Sequence, residues 1–207
     1  GWCDLIARQW PVEGVVGENG VFAFYMENGH LQHLFHPSIA PDELLKQLDR
    51  VRERVLNEVP GSRVAKDQFS RMFDLAIDFR EEPPDLGIEA ARRIVEICEQ
   101  MGAKAKISSI HVNTWFGEYS KVDMIEAYLS TVRKIDPAAQ TEAVIYCGDS
   151  PNDAPMFERF PLSCGVANIQ PLIHLVEPPP AFVSDAAHAE GFVEIAETVL
   201  RARGGPQ

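Results

Sequence analysis

The chain is 207 residues long and 45% hydrophobic, enough for one large domain or for a core with a smaller companion. A formal net charge of −12 and a pI near 4.9 argue against a nucleic-acid backbone or an anionic membrane surface as partner, because neither attracts so acidic a protein. No apolar run reaches the length of a membrane span and the first residues lack the basic, apolar, small-residue order of a signal peptide, so the expected location is the cytoplasm.

Trp2, Leu5, Ile6, Gln9 and Trp10 recur at spacings of three and four, which predicts the tail of an amphipathic helix stopped by Pro11. Residues 12–16 read as a short strand and Gly17-Glu18-Asn19-Gly20 as a turn. Two apolar runs, 21–26 and 30–35, flank Asn28-Gly29, a strong hairpin signal. From Ser38 the period changes: residues 42–59 carry Leu44, Leu45, Leu48, Val51 and Val55 on one helical stripe that stops at Pro60-Gly61. Strands are expected over 64–66 and 73–80, the second with strict alternation. A helix follows Pro83-Pro84-Asp85, with Ile88, Ala91, Val95, Ile97 and Cys98 near one face and Gly102 at its end, and strands fit 105–110 and 111–116. Helix-strand-strand therefore occurs twice, an αββαββ unit whose helices share one face of a sheet.

A further helix, with Val122, Ile125, Ala127, Leu129 and Val132, begins just after Ser120-Lys121. The most informative stretch is 143–157. A short β-branched apolar run stops at Gly148-Asp149, and Asn152-Asp153 opens a helix marked by Met156, Phe157 and Phe160. In an open parallel sheet such a loop lies at the carboxyl end of a strand, where these folds place ligands. Asp149 and Asp153 would converge there, as Mg²⁺ requires, because that ion takes one or two protein carboxylates and fills its other positions with water and phosphate. The plainer alternative is a turn in which Asn152 or Asp153 only caps the helix. Beyond it come a strand over 163–166, a proline-rich turn at 178–180, a small strand over 181–183 and a helix over 190–203 with Phe192, Ile195, Ala196 and Val199 facing inward. Cys3, Cys98, Cys147 and Cys164 have neither zinc-site nor disulfide-framework spacing.

Gly148-Asp149-Ser150-Pro151-Asn152-Asp153 resembles the last motif of the haloacid dehalogenase-like phosphatases, and the αββαββ unit resembles their type IIB cap. Glu18-Asn19-Gly20 is similar to the turn after their second motif, which borders the active site. Lys121, directly after the inserted unit, stands where the family has its third-motif lysine. The resemblance implies an α/β fold: a Rossmann-like parallel-sheet core over residues 1–37 and 117–207, with an inserted α+β cap over 38–116. It also implies a Mg²⁺-dependent phosphatase of a small phosphorylated metabolite, a sugar phosphate foremost, working through a phosphoaspartyl intermediate. By that resemblance Asp149 binds Mg²⁺ directly, Asp153 supports the metal site or Lys121, Asn152 orients phosphate or Lys121, and Lys121 contacts phosphate. Glu18, Asn19, Gly20, Arg71, His111 and Asn113 are candidate substrate-binding residues, with Lys66 and Trp115 also within the cap region.

One departure is severe. The family's nucleophile and its acid/base partner form an Asp-x-Asp pair, and no Asp in this chain is followed by another two positions later. The chain also begins Gly-Trp-Cys. The expectation is a piece of a longer protein whose nucleophile lies upstream, inactive by itself. A phosphosugar mutase of the same subtype, a non-catalytic sugar-phosphate-binding relative and a fortuitous turn in an unrelated α/β protein remain open at this point.

Overall fold

Asn28 and Gly29 both adopt positive φ, 51° and 78°, which matches the twist of a two-residue hairpin, and they join β2 (Phe22–Glu27) to β3 (His30–Phe35). The preceding strand β1 (Val15–Gly17) adds to the other side of β2, giving a three-stranded antiparallel sheet on which α1 (Trp2–Gln9) packs. The computed structural model describes residues 1–39, 41–108 and 110–204, and the chain forms two compact units, Gly1–Met124 and Ile125–Gln207.

The rest of the first unit is the expected αββαββ layer. It comprises α2 (Pro41–Glu58), β4 (Arg63–Val64), β5 (Leu75–Asp78), α3 (Gly87–Gln100), β6 (Lys104–Ile107) and β7 (His111–Trp115). The four strands run in the order β4-β5-β7-β6, every neighbour antiparallel, so β5 pairs only within this layer. Leu44, Leu48, Val51 and Val55 of α2 are buried at helical spacing, whereas Leu45, expected on that stripe, is 48% exposed. In α3 the buried stripe is Ala91, Ile94, Ile97 and Cys98, and Ile88 lies outside it, 43% exposed in the first turn. One apolar core runs from Ala7 of α1 through Phe22 and Phe24 of β2 to these two helices. The change from the first compact unit to the second falls inside the next helix, α4 (Lys121–Thr131).

The second unit holds a three-stranded parallel sheet, β8 (Tyr146–Gly148), β9 (Ser163–Gly165) and β10 (Phe182–Val183), with β9 in the middle. Parallel neighbours need crossovers, and α6 (Ala154–Arg159) supplies the one between β8 and β9. Phe157, Ile169 and Val176 pack together as one cluster of its core. A helix absent from the sequence expectation, α5 (Pro137–Ala143), starts where the Asp136 carboxylate accepts Ala138 N–H at 2.8 Å and Pro137 sits in the first turn. The last helix, α7 (His188–Ala202), corrects another expectation: Phe192 is 56% exposed, and Ile195 and Val199 line an apolar recess with Ile145, Leu162 and Phe182. Three short strands offer too little apolar surface to bury that helix face. Among the described residues, no helix is long and apolar enough to cross a membrane.

Candidate functional site

The acidic loop begins where β8 ends. Gly148 has no side chain because none would fit: a Cβ there would lie 2.8 Å from the Asp153 side chain, which folds back beneath the strand end. The Asp153 carboxylate is buried and occupied. Its Oδ1 accepts the Tyr146 hydroxyl at 2.6 Å, and its Oδ2 accepts Asp149 N–H at 3.0 Å with Ser150 N–H and Ser150 O–H at 3.2 Å. Four donors on one carboxylate nearly exhaust its lone-pair directions. Asp153 therefore acts as the brace of the loop. Burial first, and the Asp153 carboxylate second, hold the Tyr146 phenol well above its ordinary value, so it remains a donor.

Asp149 differs in kind. It is exposed, and its Oδ2 lies 3.5 Å from the Asn168 side-chain amide, whose carbonyl oxygen accepts the N–H of His188 at the start of α7. Asn152, in the turn Pro151–Asp153 that opens α6, is also exposed. Among the described residues no group of three or more His, Cys, Asp or Glu side chains is placed to hold a metal ion. What this unit offers a hard cation is one exposed carboxylate with an amide beside it. Such an oxygen-rich, incomplete set suits Mg²⁺, which retains much of its water, and does not suit zinc.

In the first unit, four of the six candidate substrate-binding residues line a single recess of about 260 Å³: Glu18, Asn19, Arg71 and Asn113. Glu18 is fixed from outside its own turn, its two oxygens accepting Met72 N–H at 2.8 Å and Phe73 N–H at 2.6 Å. Burial, and then the neighbouring Asp74 carboxylate, push the Glu18 carboxyl up to about 6. Arg71 is pinned by Asp67 and by the buried Asp74, with contacts of 3.1–3.2 Å. Among the described residues the buried Asn113 side-chain oxygen has no hydrogen-bond partner, and neither does the buried Tyr119 hydroxyl. Two candidates lie outside the recess. His111 is nearly buried and pairs with Glu81 at 2.8 Å, and Gly20 supports the turn from behind. Lys66 pairs with Glu82 at 2.6 Å, and Trp115 is a core residue, 4% exposed. The loop carboxylates Glu81 and Glu82 take His111 and Lys66, and the apolar core takes Trp115, partners that sequence alone does not give.

Gly20 has φ +99°, and a Cβ on it would stand 2.0 Å from the Ser120 carbonyl oxygen. The Glu18–Gly20 turn thus packs backbone to backbone against the residue before Lys121. Ser120 caps α4, accepting Asp123 N–H at 3.2 Å while its hydroxyl donates to the Asp123 carboxylate at 2.7 Å, and Lys121 is the first residue of the helix. Sequence reasoning passed over Tyr146 and Asn168 as site residues. Each had a signal only in hindsight of the fold: a phenol in an apolar strand must find a partner for its hydroxyl, and an Asn after a strand end sits at the ligand side of a parallel sheet.

Sequence comparison finds no family model and no curated protein that matches the chain. Solved structures do match. A Thermoplasma acidophilum protein is 20% identical with a TM-score of 0.66, over 94% of this chain and 76% of that one. A haloacid dehalogenase-like hydrolase from Bacteroides thetaiotaomicron is 14% identical with a TM-score of 0.61, over 90% of this chain and 76% of that one. The sucrose-phosphatase of Synechocystis, solved with sucrose and phosphate, is 16% identical with a TM-score of 0.58, over 87% and 71%. The chain has the fold of the haloacid dehalogenase-like hydrolases.

Proposed function

We propose that this chain carries the metal- and phosphate-handling part of a Mg²⁺-dependent phosphatase that acts on a small phosphorylated metabolite, a sugar phosphate by class. One observation carries the reading: at the carboxyl end of β8 the loop directs one carboxylate outward, Asp149, and spends the other, Asp153, on holding the loop still. Rigid support of a single exposed ligand is what a site that shares its ion with water and phosphate needs. Mg²⁺ held there would supply charge neutralisation on phosphoryl oxygens. Asp149 would be its protein ligand, with Asn168 steadying the carboxylate and Asn152 presenting amide donors to a phosphate oxygen. Lys121 is assigned the phosphate-facing ammonium by its place in the sequence after the inserted layer. The sugar-phosphate class is supported by the sucrose-phosphatase among the structures that share the fold, and the recess of Glu18, Asn19, Arg71 and Asn113 has the mixed acceptors and donors that a polyol would use.

Attack on phosphorus needs a nucleophile that no Asp-x-Asp pair in these 207 residues supplies. The proposal therefore gives this stretch the roles of metal ligand, loop brace and charge partner, not of attacking group. Release of inorganic phosphate from a panel of sugar phosphates by the intact protein, with Mg²⁺ or with chelator, tests it. Mg²⁺-dependent release that Asp149→Ala abolishes is the expected result. Release that survives both chelator and Asp149→Ala would contradict the assignment, and binding of sugar phosphate without release would favour a non-catalytic relative.

A further inference from the structure

Two of the four cysteines meet in a way the proposed phosphatase does not use. Cys147 on β8 and Cys164 on β9 are directly paired in the parallel register, so their side chains leave the same face of the sheet. Paired residues on adjacent strands stand about 4.8 Å apart at Cα, inside the window of about 4.4–6.8 Å that a disulfide spans. Both thiols are free. Cys164 is buried. Cys147 is half-buried and lines a recess of about 220 Å³ with Asp149 and His188, while Cys164 borders the apolar recess under α7.

We propose that Cys147 and Cys164 form a reversible oxidation site, closed to an intramolecular disulfide by a peroxide and reopened by a small thiol. The step balances without any group from the protein beyond the two sulfurs. Cys147 sulfur attacks one peroxide oxygen, the O–O bond breaks, and the thiol proton leaves with the departing oxygen as water. Cys164 sulfur then attacks the sulfenic sulfur, the S–S bond forms, the S–O bond breaks, and the second water departs with the Cys164 proton. Two electrons pass from sulfur to oxygen. A second cysteine within bonding reach diverts the sulfenic acid from further oxidation. Cys147 is half-buried and Cys164 buried, which slows the first attack, so the oxidant is given in excess over hours.

The test is intact and peptide-mapped mass spectrometry of the whole chain treated with hydrogen peroxide under native conditions, with thiol counting before and after. The expected product is about 2 Da lighter, contains the 147 and 164 peptides as one cross-linked species, and returns to its starting mass with dithiothreitol. Cys147→Ser and Cys164→Ser should each remove that species, with far-ultraviolet circular dichroism showing that the variants fold. Accumulation of a Cys147 sulfinic acid, about 32 Da heavier, with Cys164 still a thiol would overturn the proposal. So would two thiols that stay reduced in the native protein, or a cross-link to Cys3 or to a second chain. None of these readouts depends on phosphatase activity.

Discussion

Asp153 and Glu18 are both carboxylates held by internal donors, and they respond to that burden differently. Asp153 receives a phenol, two backbone N–H groups and a hydroxyl, so removing one donor leaves a buried charge under-bonded. Tyr146→Phe should lower the stability of the second unit by about 1–3 kcal/mol, measured by urea unfolding. An unchanged midpoint would mean that the phenol does not support the loop. Glu18 accepts two backbone N–H groups, yet desolvation and Asp74 outweigh them and lift its carboxyl from 4.5 to about 6. The folded chain therefore holds a proton at a pH where the unfolded chain has lost it, and Glu18 weakens the fold as pH rises through that window. The difference in unfolding free energy between the wild type and Glu18→Gln should fall by up to about 2 kcal/mol between pH 4.5 and 7. A difference that is flat with pH would show that the carboxyl titrates normally.

At the scale of elements, glycines and stripes decide most. Gly20 combines φ +99° with backbone contact at Ser120, so Gly20→Ala is strained twice over and should cost about 1–3 kcal/mol or more. Thermal unfolding reads it, and a neutral result would remove the turn from any role beside Lys121. Burial in α3 makes a sharper contrast with α2: Ile94→Ala, at a fully buried position, should cost about 2–5 kcal/mol, whereas Leu45→Ala, at an exposed one, should stay within about 0.5 kcal/mol. Periodicity alone had placed Leu45 on the buried stripe and had not named Ile94. The reason is physical: a stripe wider than the partner surface leaves its margin wet, and only the packing partner says which margin. The hairpin at Asn28-Gly29, both helices of the αββαββ layer and the strand-loop-helix at 146–159 were legible because each is written in local chemistry. The exposed face of α7 was not, since a half-buried helix and a fully buried one share the same period.

For the whole molecule, sequence and fold agree on the class while the chemistry rests on a few side chains. Gly148, Asp149 and Asp153 were readable as a loop with carboxylates at a strand end. Their division of labour was not, because it depends on where Tyr146 and Ser150 point. Likewise Glu18, Asn19, Arg71 and Asn113 were named separately and meet in one recess, whereas His111 is drawn off by Glu81. The central proposal is that Asp149 is a protein ligand of a Mg²⁺ ion. Titration of Mn²⁺ as a paramagnetic stand-in, followed by water-proton relaxation with Mg²⁺ as competitor, compares wild type with Asp149→Ala most directly. The account predicts saturable Mn²⁺ binding that Mg²⁺ displaces and that Asp149→Ala weakens at least about tenfold. Equal affinity in the two proteins would contradict it.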